Sequence, residues 1–302
     1  MIFALGLMSN VAMAQEQAAQ TPSVTFPMVT VPESIIQPQE RAKYLGEHFW
    51  DNVDFATASD ALLEQGLIDM ASIFPLLSAD VMTSSMAAWV ERAGAVKGAL
   101  KRVLTLGDKY LYDTASPLYN ETAYRSLLQS ALVSKSIDKA DKEPYQKQLV
   151  MLEMNNEGMS AVDFQMQLTD GSKAQLSDVK SPIVILFFYS PENLDCKLQR
   201  FRLTQAKLVN YLQRAGGVKI VAVCVEGEKS AWEKFVADSP AEWLHAYDAA
   251  GKIKGDNLYD LRTLPRVYML DENKTVLLKN TKADNIEQYL IQLIQSAEGA
   301  AE

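Results

Sequence analysis

The chain has 302 residues, 38 acidic side chains against 29 basic ones, and a net charge of −9. No basic cluster tracks a phosphate backbone, which excludes nucleic acid as the expected partner, and the length points to two domains rather than one. The only cysteines and histidines are Cys196, Cys224, His48 and His245. They supply neither a disulfide framework nor the close ligand spacing of a zinc site, so no metal and no cofactor are expected.

Residues 2–14 are apolar and end in Ala12-Met13-Ala14, a small-x-small site ahead of the polar Gln15-Glu-Gln. That is the pattern of a secretory signal peptide, with a mature protein in the periplasm or outside the cell after cleavage near Ala14. No Lys or Arg precedes the run, which points to a start codon further upstream. The run is too short to span a bilayer, no later segment reaches transmembrane length, and without a cysteine it does not support a lipid anchor. Residues 15–37 read as an extended linker. In it Thr25-Phe-Pro-Met-Val-Thr-Val-Pro32 alternates apolar and polar residues while its prolines exclude helix and central strand. An arm lying along the first domain is expected.

Residues 38–154 read as an all-α domain, with helical patterns over Gln39–Trp50, Leu67–Leu77, Asp80–Leu106, Pro117–Val133 and Lys142–Met154. Gly66, Pro75, Gly107-Asp108 and Ser116-Pro117 punctuate them. The many aromatics, Phe49, Trp50, Phe55, Trp89, Tyr110, Tyr112, Tyr119 and Tyr124 among them, are expected to pack a core rather than to form a ligand platform. The segment Arg41-Ala-Lys-Tyr-Leu-x-Glu-His-Phe-Trp50-Asp-Asn-Val-Asp-Phe55 resembles a helical domain of unknown function that precedes thioredoxin-like domains in exported proteins of anaerobic gut bacteria. The resemblance implies no activity.

From Asn155 strands and helices alternate, over residues 155–297. Asp170-Gly171 marks a hairpin between Asp163–Leu168 and Lys173–Leu176. The continuous apolar run Ile183–Tyr189 has the pattern of a central strand covered on both faces. A helix from about Asn193 to Ala215, a strand Lys219–Val225 and a helix Lys229–Ala237 follow, which makes a right-handed βαβ unit. A second hairpin, Arg266–Leu270 with Thr275–Lys279, and an amphipathic helix from about Asp284 to Ser296 close the chain.

This order, with Gly158-Met-x-Ala-x-Asp-Phe164, Ser177-Asp-Val-Lys and the Phe-Phe-Tyr strand, resembles the redoxin group, which holds periplasmic thiol–disulfide interchange proteins and peroxiredoxins. The resemblance implies an α/β thioredoxin-like fold preceded by the helical domain. It also implies a Cys-x-x-Cys pair whose second cysteine lies seven residues beyond the aromatic that ends the active strand. Tyr189 to Cys196 has that spacing. Cys196 thus matches the second, resolving cysteine, and Asn193 stands where the family has its nucleophile. Phe187 replaces the family's buried acid, and Pro191, five residues before Cys196 with no threonine between, does not make a peroxiredoxin motif. Thr263-Leu264-Pro265 matches the loop whose cis-proline faces the active site and pairs with bound polypeptide.

An asparagine amide cannot attack a disulfide, but it is among the best helix N-caps, with the N–H of Cys196 three residues on as its expected donor. The expectation is a degenerate Asn193-Leu-Asp-Cys196 motif in a protein that binds polypeptide or a partner protein of the cell envelope through Tyr189, Asn193, Leu264 and Pro265. The alternative is a single-thiol redox protein in which Cys196, a thiol of lowered pKa, works alone or pairs with Cys224. A third reading makes the helices the functional part and the thioredoxin-like half a dimerisation or docking module.

Overall fold

The structure, a computed structural model, describes residues 25–299. The expected signal peptide and the first part of the linker lie outside the described residues. Helix α1 (Pro38–His48) opens on a proline, which suits a position with no intrahelical N–H partner. The Ser59 hydroxyl caps α2 (Asp60–Ala71) and Ser78 caps α3 (Ala79–Gly94), each accepting a backbone N–H three residues on. The helix expected over Asp80–Leu106 is two helices. The chain turns through Ala95–Gly98, with Gly98 left-handed at φ 81°, and resumes as α4 (Ala99–Gly107). A π-helical turn, Asp108–Tyr112, follows. Asn120 caps α5 (Glu121–Val133), and α6 (Lys139–Glu153) leads out of the domain.

Aromatics fill the core of these helices. Trp50 and Trp89 stack at 4.6 Å, and Phe26, from the extended arm, stacks on Phe49 at 4.9 Å and meets Trp50 edge-on at 5.3 Å. The arm docks here because Gly66 has no side chain. A Cβ on Gly66 would lie 2.3 Å from the Phe26 ring.

The rest of the chain forms a seven-stranded mixed sheet of order β2-β1-β5-β4-β3-β6-β7. Its strands are β1 (Gln165–Leu168), β2 (Lys173–Gln175), β3 (Ile183–Tyr189), β4 (Val218–Cys224), β5 (Leu244–Tyr247), β6 (Arg266–Asp271) and β7 (Val276–Leu278). β3 runs parallel to β4 and antiparallel to β6, in the middle of the sheet. Strand β5, not expected from sequence, extends the parallel part beyond β4. The helix expected over 193–215 is broken at Ala206 into α7 (Leu194–Gln205) and α8 (Lys207–Arg214). At the break, Asn210 Nδ2 donates to the Thr204 carbonyl and Leu208 N–H donates to Glu287 Oε1, so side chains replace the helical ladder. Helices α9 (Lys229–Ala237), α10 (Lys252–Gly255) and α11 (Ala283–Gly299) complete the fold.

Two polar locks join the halves. The Arg262 guanidinium grips the buried Asp260 carboxylate with Nε and Nη2, both at 2.8 Å, and donates through Nη1 to the Tyr112 carbonyl at 3.0 Å. It also lies 3.7 Å from the Tyr112 ring centroid. Burial alone would raise the Asp260 carboxyl, but the hydrogen bonds from Arg262 and the charge of Arg266 outweigh it and hold the carboxyl below its ordinary value. The second lock is Lys279, whose ammonium reaches Glu121 at 2.6 Å and the Leu152 carbonyl and Asn156 Oδ1 at 2.8 Å. Arg262→Ala strips one partner from a buried carboxylate and removes the cation from Tyr112. A loss of about 2–3 kcal/mol is expected in urea unfolding, with faster proteolysis between the halves.

Candidate functional site

The alternation of β3 sorts its residues to two cores. Ile185, Phe187 and Tyr189 face α7, α9 and α11, while Val184, Leu186 and Phe188 face Tyr259 and Leu261 on the other side. The strand ends at Tyr189, and Ser190–Glu192 carry the chain over the sheet edge to Asn193. Gly227, at φ 121°, lets the loop after β4 pass against this turn, since a Cβ there would meet Pro191 Cδ at 3.0 Å.

Asn193 caps α7, its side-chain oxygen accepting the Cys196 N–H at 3.0 Å. Leu194, first in the helix, is 77% exposed, whereas Cys196 is fully buried. Burial pushes the Cys196 thiol up to about 12, and a backbone hydrogen bond at Ser190 offsets only part of this. Cys224 sits opposite Tyr189 in the β3–β4 register, also fully buried, and its thiol, 3.5 Å from the Glu226 carbonyl, is pushed by burial up to about 11. Both thiols are free, so the Cys196–Cys224 pairing is not formed. The lowered thiol pKa expected of the single-thiol alternative is also absent, because Cys196 is buried and the nearby carboxylates of Asp195 and Glu226 disfavour a thiolate further.

Tyr189 does not sit on a binding face. Its ring is fully buried, stacked on Phe235 at 4.1 Å and on Phe187 at 5.1 Å. The reason is the pleat, since an odd-numbered residue of β3 points under α7. Its hydroxyl, with Gln199 Nε2 and Trp232 Nε1, has no partner among the described residues.

The Leu264–Pro265 peptide is cis. Pro265 directly precedes β6, whose Arg266 pairs with Phe188, so the turn stands beside the end of β3 where the chain leaves for Asn193. Leu264 and Pro265 are half-buried and Thr263 is exposed. The backbone N–H groups of Thr263 and Leu264 donate to no protein acceptor among the described residues. Asn193, Leu264 and Pro265 are half-buried residues at the end of the sheet where β3 and β6 adjoin, and Cys196, inside the first turn of α7, is fully buried.

Two features escaped sequence reasoning. Leu194, Leu198 and Phe201 make an exposed apolar stripe on α7, legible only as a spacing of four and three residues once the buried side of the helix is known. Arg262, just ahead of the cis-proline turn, carries no local sign that it binds the helical half. It also lines a cleft of about 830 Å³ between the halves, floored by Val150, Met151, Met154 and Leu261. Among the described residues no cluster of His, Cys, Asp and Glu could hold a metal ion, and no helix is long and apolar enough to cross a membrane.

Residues 8–155 match a domain of unknown function (DUF5106), and residues 158–279 match the AhpC/TSA family. A thioredoxin-like protein from Bacteroides caccae superposes with a TM-score of 0.81 at 29% identity, covering 89% of this chain and 98% of that one. The C-terminal domain of an uncharacterized Bacteroides fragilis protein is 34% identical over 45% of this chain and 98% of that one, with a TM-score of 0.44. A thiol:disulfide interchange protein from Bacteroides sp. is 16% identical over 46% of this chain and 91% of that one, with a TM-score of 0.41. No curated protein matches. The chain joins a largely helical domain of unknown function to a thioredoxin-like redoxin domain of the AhpC/TSA family.

With the Cys196 thiol at about 12, the thiolate fraction at pH 8 is on the order of one in ten thousand. Iodoacetamide at pH 8 is expected to label neither cysteine in the native chain and both in urea. Labelling of native Cys196 at the rate of a free thiol would contradict its burial. Asn193→Ala removes the cap and is expected to cost about 1 kcal/mol in urea unfolding.

Proposed function

We propose that this is an exported protein whose thioredoxin-like domain binds extended polypeptide, or a partner protein of the cell envelope, without dithiol exchange. Its binding face is the edge made by Asn193, Leu264 and Pro265. One observation carries the reading: a carboxamide that caps α7 occupies the position over a fully buried, protonated thiol. Exchange needs an accessible thiolate, and neither Asn193 nor Cys196 supplies one. Phe187, buried where the family keeps an acid, removes the proton acceptor as well.

Binding needs less than exchange does. An extended polypeptide adds to a sheet edge through backbone hydrogen bonds, and side-chain pockets then give selectivity. The unpaired N–H groups of Thr263 and Leu264, next to the cis-proline, are donors suited to that pairing. Export rests on the apolar run that ends in Ala12-Met13-Ala14, and N-terminal sequencing of protein from the cell-envelope fraction tests it.

The purified chain is expected to reduce insulin disulfides no faster than its Cys196→Ala variant. It is expected to bind a reduced, carboxymethylated polypeptide saturably in calorimetry. Leu264→Asp should weaken that binding at least about tenfold, because a charge replaces the apolar contact beside the turn. Disulfide reduction that disappears with Cys196→Ala would overturn the reading. So would polypeptide binding that is indifferent to Leu264.

A further inference from the structure

Helix α7 starts at the candidate edge and covers one face of β3, and three apolar side chains lie on its outward face. At 100° per residue Leu194, Leu198 and Phe201 fall within about 60° of one another around the axis. They are 77%, 43% and 60% exposed, while Cys196, Gln199 and Leu203 on the opposite side are buried. The helical half does not cover this stripe. Its polar locks run to Asp260–Arg262 and to Lys279–Asn280.

The charges beside the stripe say what covers it. Asp195 and Arg202 lie on one flank of the helix, seven residues apart, and neither has an ion-pair partner among the described residues. Two α7 helices packed antiparallel, with a twofold axis passing at Leu198, keep this flank on the same side of both helices. Asp195, three residues before the centre, then stands beside Arg202 of the other helix, four residues after the centre. The reverse pair forms by symmetry. In the same register Leu198 meets Leu198, and Leu194 meets Phe201. Lys197 lies on the other flank, where its long stem lets the ammonium reach water away from the axis.

We infer that the outward face of α7 is an isologous interface for a second copy of this chain, closed by Leu194, Leu198 and Phe201 and keyed by two reciprocal Asp195–Arg202 pairs. A twofold contact needs a surface complementary to itself, and an acid and a base on one flank at this separation satisfy that condition. A partner of uniform charge would leave one of them unmatched. Antiparallel helices place the two cis-proline turns at opposite ends of the contact, so the pairing does not depend on what those turns bind.

The test is sedimentation equilibrium of the full chain over a range of concentrations. A monomer–dimer equilibrium is expected. Leu198→Asp and Phe201→Ser should each shift it to monomer, with circular dichroism melting showing that these exposed changes leave the fold in place. Asp195→Arg and Arg202→Asp should each weaken the dimer at least about tenfold. Mixed in equal amounts, those two variants should regain it as a heterodimer, detected by native mass spectrometry. A monomer at all concentrations, a dimer indifferent to these changes, or a mixture that does not recover would overturn the inference. So would a monomeric chain whose stripe instead takes up the carboxymethylated polypeptide. Leu264→Asp is expected to leave dimerisation unchanged, which separates this interface from the polypeptide-binding edge.

Discussion

The seven residues of β3 must be covered on both faces, and the redoxin domain is arranged to meet that demand. Phe187 and Tyr189 oblige α7, α9 and α11 to close one side, and Leu186 and Phe188 require the Tyr259–Leu261 segment on the other. Each buried aromatic removes enough apolar surface from water to be worth on the order of 2–3 kcal/mol, so neither cover can be withdrawn cheaply. Only where β3 ends does the backbone reach solvent. The turn through Ser190–Asn193 and the one at Leu264–Pro265 meet there because both adjoin the same strand.

That arrangement explains how the architecture persists without reactive thiols at its surface. The first turn of a helix needs acceptors for its free N–H groups, and the Asn193 carboxamide provides one. The space behind it needs a small apolar filler, and a protonated Cys196 is one. Both positions are accounted for by folding alone. What lies outside that account is the accessible backbone at Thr263 and Leu264 and the apolar outer face of α7, neither of which folding requires.

Much of the fold was legible because its signals are local. The apolar run Ile183–Tyr189 coincides with β3, and Asp170-Gly171 sits in the turn between β1 and β2. Asn193 as a cap was readable from its own chemistry, whereas Pro265 as a cis residue was expected only through the family resemblance. Features set by tertiary contact were not. Nothing near Ala206 breaks a helix by itself; Glu287, from α11, takes the Leu208 N–H there. Strand β5 has four residues, one of them the buried His245, and is too short for alternation to declare it. The orientation of Tyr189 follows from a pleat whose phase only the completed sheet fixes. At the site, residue identities were visible but accessibility was not, and accessibility decides what Cys196 can do.

Arg262 sits three residues ahead of Pro265 and spends its donors on Asp260 within its own domain and on Tyr112 across the boundary. A fragment beginning after the helices would keep the carboxylate and lose the tyrosine, leaving Nη1 without its acceptor and the guanidinium face without its ring. The local charge would not change, because the Tyr112 carbonyl is neutral, but Arg262 would be held by Asp260 alone. The placement of Arg262 is thus a joint property of both halves, fixed by a carboxylate from one and a backbone carbonyl and ring from the other.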